Sequence, residues 1–219
     1  MIDPEKSKHR HHQVGPGDLW EKKRQFQISF LKRAGLQPQH FLLDFGCGTL
    51  RGGIPIIELL EPGHYYGIDT RAAVLSDAQQ ELQDYGLEDK LPTLLHSPDL
   101  SQLTIDRQFD YIWAFSVLIH LSDEILNDAL GFIRRQLAPG GVFYANVNIG
   151  ERNSGDGWLE FPLVRRSMDF YSQACAQSGL WLEDMGPLSD FGHGPDMNGP
   201  FEADRRMLKI TSYNPANQS

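Results

Sequence analysis

The sequence predicts a doubly wound α/β fold, a mostly parallel seven-stranded sheet with helices on both faces and a C-terminal antiparallel hairpin strand. Three observations predict it. Apolar runs of strand length alternate with helix-period segments between residues 41 and 147. The first run, Phe41-Leu42-Leu43-Asp44-Phe45, enters the glycine-dense turn Gly46-Cys47-Gly48-Thr49-Leu50-Arg51-Gly52-Gly53. The last two strands are joined by an irregular stretch without helical period, so they make a hairpin and one strand is antiparallel.

A chain of 219 residues is long enough for one domain with a substantial core. We place that domain at residues 40–219, behind an N-terminal arm and covering helix at 1–39. Hydrophobic content of 40% and aromatic content of 11% fit a globular protein. No run approaches the ~20 apolar residues that span a bilayer. The first twelve residues lack the apolar core of a signal peptide, so a cytoplasmic location is expected. Two cysteines without short spacing, Cys47 and Cys175, suggest neither a disulfide framework nor a zinc site. The net charge of −9 disfavours nucleic acid, whose binding draws on phosphate neutralisation. The short basic clusters Lys22-Lys23-Arg24 and Arg165-Arg166 read as solvated surface. The sequence does not indicate an oligomeric state.

Residues 1–17 are polar and read as a mobile arm, whose His9, His11 and His12 would bind metal only adventitiously. Asp18 is placed to cap a helix over 19–34 with Leu19, Phe26, Phe30, Leu31 and Ala34 on one face; Gly35 ends it. This helix either covers the core beside the glycine turn or forms, with the arm, a lid over a ligand. A helix over 54–60 follows the turn. Gly63 breaks the pattern before a second strand over 64–69, which ends in Asp69. Residues 73–85 are helical, with Leu75, Ala78, Leu82 and Tyr85 inward. The third strand, 91–95, is broken by Ser97-Pro98-Asp99, and the fourth, 109–115, is nearly all apolar, as a strand covered on both faces should be.

Ser122 caps the next helix, with Asp123 and Glu124 in its first turn and Ile125, Ala129, Ile133 and Leu137 as its buried stripe. Pro139-Gly140-Gly141 turns into a fifth strand over 142–147. Residues 148–166, carrying Gly150, Gly155, Gly157 and Pro162, read as a long loop of the kind that carries function. Ser167 caps a helix over 168–178, ended by Gly179. Strands over 180–185 and 206–212 flank the irregular segment 186–204.

In such sheets ligands lie beyond the carboxyl ends of the strands. Gly46 and Gly48 leave room for a ligand against the main chain, and the helix behind them offers unpaired N–H groups. Asp69, at the end of the second strand, suits ribose hydroxyls. A dinucleotide fingerprint would need a third glycine where Arg51 stands. Asp44 would repel a pyrophosphate. It suits a ligand with a cationic amine and a sulfonium, which favours S-adenosylmethionine over NAD; otherwise it caps local N–H groups.

Leu43-Asp44-Phe45-Gly46-Cys47-Gly48-Thr49 resembles the first motif of the class I S-adenosylmethionine-dependent methyltransferases, a Rossmann-like family. Tyr66-Gly67-Ile68-Asp69 resembles their second-strand acid. Phe109-Asp110-Tyr111-Ile112-Trp113-Ala114 and Leu137-Ala138-Pro139-Gly140-Gly141-Val142-Phe143 resemble their fourth-strand and fifth-strand entries. Four motifs in order cover about residues 40–147. The resemblance implies that Asp44, Gly46, Cys47 and Gly48 surround the methionine end. Asp69 would hold the ribose with Thr70 and Arg71 beside it. Asp99 would hold the adenine amine with Leu100 flanking the ring, unless Asp99 only completes a turn. Phe115 and Ser116 would lie under the cofactor. Many members carry a third glycine where this chain has Leu50; Arg51 pairs either with the cofactor carboxylate or with a surface acid.

Methyl transfer from a sulfonium is an in-line displacement dominated by alignment. A hydroxyl acceptor also needs a base, and His120, after the fourth strand, is the best candidate; alternatively it is a buried histidine bonded to a carbonyl. Trp158, Glu160 and His193 are candidate substrate contacts, and Phe161 and Tyr171 candidate pocket aromatics. Asp190, His193 and Asp196 give the sole hint of a metal, and none is expected. An Asn-Pro-Pro-Tyr type motif and a Pro-Cys nucleophile are absent. The expected activity is therefore methylation of a small molecule with release of S-adenosylhomocysteine, at a hydroxyl of a sugar or secondary metabolite. The alternatives are a methyltransferase acting on RNA or protein, a non-catalytic cofactor-binding protein and an NAD-dependent oxidoreductase.

Overall fold

The computed structural model describes residues 10–14, 17–151, 154–158, 161–197 and 204–212. Their contacts group into two compact units, 1–99 and 100–219. The fold is the expected mostly parallel seven-stranded α/β sheet with antiparallel C-terminal strands.

In the first unit, helix α1 (Trp20–Arg33) precedes β1 (Leu42–Phe45), α2 (Gly53–Leu59), β2 (Tyr65–Asp69), α3 (Ala72–Tyr85) and β3 (Thr93–His96). The strands are parallel in the order β3-β2-β1, with Asp44 opposite Gly67 and Asp69 opposite His96. Every residue of β1 is buried, as its apolar run requires. Asp18 does not cap α1. A 3-10 turn over Gly17–Leu19 comes first, so Leu19 takes the cap position without a side-chain bond. The third strand starts at Thr93 rather than Leu91. Leu91 has φ 51° and is exposed, because the segment turns there out of a 3-10 element.

Of the basic cluster on α1, Lys22 is exposed as expected, but the other two residues are not. Lys23 and Arg24 are buried. Arg24 donates from Nε to the Arg51 carbonyl (3.1 Å) and from Nη1 to the Tyr85 hydroxyl (2.7 Å), with its guanidinium over the Trp20 ring. Gly52 leaves room for the Gln27 side chain, so α1 packs directly on the glycine turn.

In the second unit, β4 (Phe109–Ala114), α4 (Asp123–Gln136) and β5 (Leu137–Asn148) are followed by the hairpin β6 (Ser154–Trp158) and β7 (Phe161–Val164), then α5 (Met168–Gln177), β8 (Trp181–Pro187) and β9 (Arg205–Thr211). The order is β4-β5-β9-β8. β4 and β5 are parallel, and β9 is antiparallel to both of its neighbours, which is the single reversed strand expected. β5 begins five residues earlier than the pattern suggested. Gly141 lies so close to the Phe109 carbonyl that an added Cβ would meet it at 2.7 Å, so the Pro-Gly-Gly segment enters the strand through an irregularity instead of a separate turn.

The segment 148–166 is not a structureless loop. It carries the two-stranded sheet β6-β7, whose short, glycine-interrupted strands give no clear period. Ser122 and Ser167 cap α4 and α5 through Oγ, accepting from Ile125 and Phe170 N–H. The buried stripe of α4 is Leu126, Ala129, Leu130 and Ile133; Ile125 lies one position off it and is 49% exposed. Arg166 is also buried, against the surface reading.

The two serine and aspartate cap positions separate cleanly in a stability measurement. Ser122→Ala should lower unfolding free energy by about 1 kcal/mol, the cost of a lost N-cap. Asp18→Ala should change it by less than ~0.5 kcal/mol, as a surface change away from any such feature. Urea unfolding of both variants checks this; an equal loss in the two would contradict the observed capping.

Candidate active site

The glycine turn of the first unit is built on the end of β2. Gly46 (φ 78°) and Gly48 (φ 56°) take left-handed backbone angles, and the Gly46 and Cys47 N–H groups both donate to the Ile68 carbonyl. Leu50 has φ 61°, so the position where many relatives carry glycine demands the same conformation here. A buried leucine accepts that strain, roughly 1–2 kcal/mol, and the space is recovered three residues on, at Gly53. A Cβ on Gly53 would meet both the Leu50 side chain and the Tyr65 hydroxyl at 2.6 Å. The displaced glycine pair thus compensates for the missing one.

Two buried carboxylates lie within this turn. Asp69 accepts the Gly48 N–H through Oδ2 (3.1 Å) and Arg71 through Oδ1, from the backbone N–H at 3.0 Å and Nε at 3.3 Å. Asp44 accepts the Tyr65 hydroxyl at 2.7 Å. Burial pushes the Asp44 carboxyl up to about 7; the Tyr65 bond opposes this, the Asp69 charge adds to it, and Arg51 opposes it. The same burial raises the Tyr65 hydroxyl well above its ordinary value. Cys47 packs on Gly67, whose added Cβ would meet Sγ at 2.9 Å, and burial pushes its thiol up, so it is a filler of the turn and not a nucleophile.

Arg51 is buried. Its Nη1 donates to the Val14 carbonyl at 2.6 Å. Val14 itself stands over Gly48, where an added Cβ would meet Cγ1 at 2.5 Å. Thr70 and Asp99 are exposed. The Thr70 carbonyl accepts from His96 Nε2 (3.0 Å), the Asp99 carbonyl accepts the Ser97 hydroxyl (3.0 Å), and Leu100 is half-buried.

In the second unit, the chain leaves β4 through Phe115 and Ser116. Ser116 has φ 60°, and its N–H donates to Asn146 Oδ1 on β5 at 2.6 Å. Phe115 stacks on Trp113 and is tilted against His193, the two ring centroids 5.6 Å apart. His193 is fully buried. His120 closes a 3-10 turn, with Nδ1 2.8 Å from the Pro162 carbonyl of β7. A carbonyl only accepts, so Nδ1 carries the proton and the lone pair of the neutral ring is on Nε2. Arg166 ties the following residues down, bonding Asp123 Oδ1 (3.0 and 2.9 Å) and the Leu121 carbonyl (2.6 Å).

Glu160 lies outside the described residues. Trp158 ends β6, and its side chain, like that of Phe161, lies outside the description. Tyr171 is buried against Arg166. Among the described residues no group of three His, Cys, Asp or Glu side chains is disposed to hold a metal. Sequence reasoning missed Tyr65, Asn146 and the arm residues Arg10, Gln13 and Val14. Their roles depend on what folds against them, and only the alternation of β2 hinted that Tyr65 faces the same side as Gly67.

Asp44 makes the fold pH-dependent in a defined direction. Its folded-state carboxyl is raised, so the folded state holds a proton that the unfolded chain has lost. Stability from this group is present below about pH 4 and is lost as pH rises towards 7. Asp44→Asn should therefore be favoured over wild type by roughly 1–3 kcal/mol more at pH 8 than at pH 5. Urea unfolding at the two pH values reads this, and a pH-independent difference would contradict it.

Residues 43–143 match the model of a methyltransferase domain family. No curated protein matches the chain. Solved structures match over most of their length. An S-adenosylmethionine-dependent methyltransferase from Clostridium acetobutylicum is 17% identical, with 94% of this chain and 98% of that chain covered and a TM-score of 0.67. A glycopeptide N-methyltransferase complexed with S-adenosylmethionine is 16% identical, with 86% and 87% covered and a TM-score of 0.65. The magnesium protoporphyrin IX methyltransferase from Synechocystis, with bound S-adenosylhomocysteine, is 16% identical, with 94% and 92% covered and a TM-score of 0.64. Residues 43–143 are thus similar to a methyltransferase domain, and the chain has the fold of these S-adenosylmethionine-dependent methyltransferases.

Proposed function

We propose that the protein transfers a methyl group from S-adenosylmethionine to a small-molecule acceptor, at a hydroxyl of a sugar or secondary metabolite. The observation that carries the cofactor reading is the pair Asp44 and Asp69, buried at the ends of adjacent parallel strands around the left-handed Gly46–Gly48 turn. This donor set fits the cofactor: a carboxylate for the ammonium group, a carboxylate for the ribose diol, and a turn whose Gly46 and Gly48 carry no side chain of their own. Bound there, S-adenosylmethionine supplies an activated methyl on a sulfonium. Asp44 then has a cationic partner, which offsets the burial that raises its carboxyl. Asp69 uses lone pairs beyond those that hold Gly48 and Arg71.

We assign His120 as the base that takes the acceptor proton on Nε2. Its support is the Pro162 carbonyl, which sets the tautomer required. Trp158, Glu160 and His193 remain proposed acceptor contacts; of these, His193 is supported by its contact with Phe115. A small acceptor is supported by the neighbours that act on a glycopeptide and a porphyrin, and by the net charge of −9. Cytoplasmic action is supported by two buried free thiols, Cys47 and Cys175.

Calorimetric titration with S-adenosylhomocysteine, with NAD as control, tests the cofactor. Micromolar binding of the first and none of the second is expected. Asp69→Ala should weaken that binding by roughly 1.5–3 kcal/mol, the scale of charge-assisted hydrogen bonds; unchanged affinity would remove Asp69 from the site. With an acceptor found by screening sugars and phenols for S-adenosylhomocysteine release, His120→Ala should lower turnover roughly 10²–10⁴-fold while cofactor affinity holds. Near-normal turnover would leave His120 a packing residue.

A further inference from the structure

The arm residues 10–14 are not a free tail. They form a strap seated on the glycine turn. Three of its carbonyls accept from the loops that follow β1 and β2. Arg10 takes the Thr49 hydroxyl (3.4 Å), Gln13 takes Arg71 Nη1 (3.3 Å), and Val14 takes Arg51 Nη1 (2.6 Å). The Val14 side chain covers Gly48. Further polar attachments reach α3. Arg10 Nε donates to Glu81 at 2.8 Å, Arg10 Nη2 pairs with Asp84, and the Gln13 amide donates to Asp77. Glu81 and Arg10 are both buried.

Arg10–His12 are helical, and beyond them Gln13 N–H donates to the Arg10 carbonyl and Val14 N–H to the His11 carbonyl. It is anchored from outside by these polar groups, by the Val14 contact at Gly48 and by the His11 ring stacked on Trp20 of α1, centroids 3.5 Å apart. Such an element has two states. Either the Arg10–Glu81 pair is made and buried together, or both charges return to water; a half-made latch would leave a buried charge unpaired, which is the costly case. No continuous intermediate is favoured.

From this placement we infer that residues 10–14 are a gate on the cofactor site, latched by Arg10 to Glu81 and Asp84 on α3. The inference rests on the proposed cofactor reading, because the strap covers the loops to which that reading assigns the ligand. With the strap seated, Val14 blocks the approach to the main chain at Gly48. A ligand enters or leaves when the latch opens, and the closed strap excludes water from the turn while the ligand is held. Arg10 is thus a positioning residue for the strap and has no part in the chemistry.

The gate predicts a kinetic signature that a merely structural arm would not give. S-adenosylhomocysteine association and dissociation rates, read by stopped-flow displacement, should both rise at least tenfold in Arg10→Ala and in Gln13→Ala, with the dissociation constant changed less than threefold. Arg10→Lys should fall between wild type and Arg10→Ala. Should Arg10→Ala lose its cooperative thermal transition, the Gln13→Ala rates decide the question. Rates equal to wild type in the folded variants would overturn the gate and leave the cofactor reading intact. A loss of affinity carried by dissociation alone would also overturn it, since the strap would then be a wall of the site and not a gate. No binding by wild type would overturn the cofactor reading itself, and the gate with it.

Discussion

The Asp69 carboxylate carries the arrangement of the first unit. Through one oxygen it holds the Gly48 N–H, and through the other it holds Arg71, so a single side chain joins the turn after β1 to the loop after β2. The turn needs such a tie. The Gly46 and Cys47 N–H groups point back to the Ile68 carbonyl at the end of β2, and the Leu50 N–H donates to the Cys47 carbonyl within the turn. The positions of Asp44, Arg51 and Cys47 all follow from that anchoring.

Placing carboxylates in a buried turn is costly, and the structure shows how the cost is distributed. Asp44 receives one neutral donor, Tyr65, which does not balance its burial beside a second acid. The site is therefore less stable at neutral pH than an amide in the same place would make it. A cationic ligand reverses the sign of that argument. Leu50 adds strain of a different kind, a side-chain residue in a glycine conformation, tolerated because Gly53 leaves its side chain somewhere to go. Local instability at this turn is thus built from electrostatics and backbone geometry together.

In the second unit an amide and a carbonyl hold the segment after β4. Asn146 holds the left-handed Ser116, and Pro162 sets the proton on His120. Both partners come from chain segments distant in sequence, 30 and 42 residues away respectively. Arg166 plays the same part for the segment after His120, with Asp123 and the Leu121 carbonyl taking its Nε and Nη2 donors.

The strands, the helices and the glycine turn were legible in the sequence, because each is specified by neighbours: period, cap and left-handed glycine are local properties. Ser122 and Ser167 cap as expected because a capping side chain reaches only three residues on. Asp44 and Asp69 were found for the same reason, as acids ending apolar strands. The tertiary structure decided what local rules cannot. Arg24 and Arg166 are buried because aromatic rings and carbonyls fold against them, and composition alone counts them as surface. The hairpin β6-β7 forms although its glycine-rich strands carry no period. The arm over the turn is the clearest case. Arg10 finds Glu81 across 71 residues of chain, and only the completed fold brings that pair together.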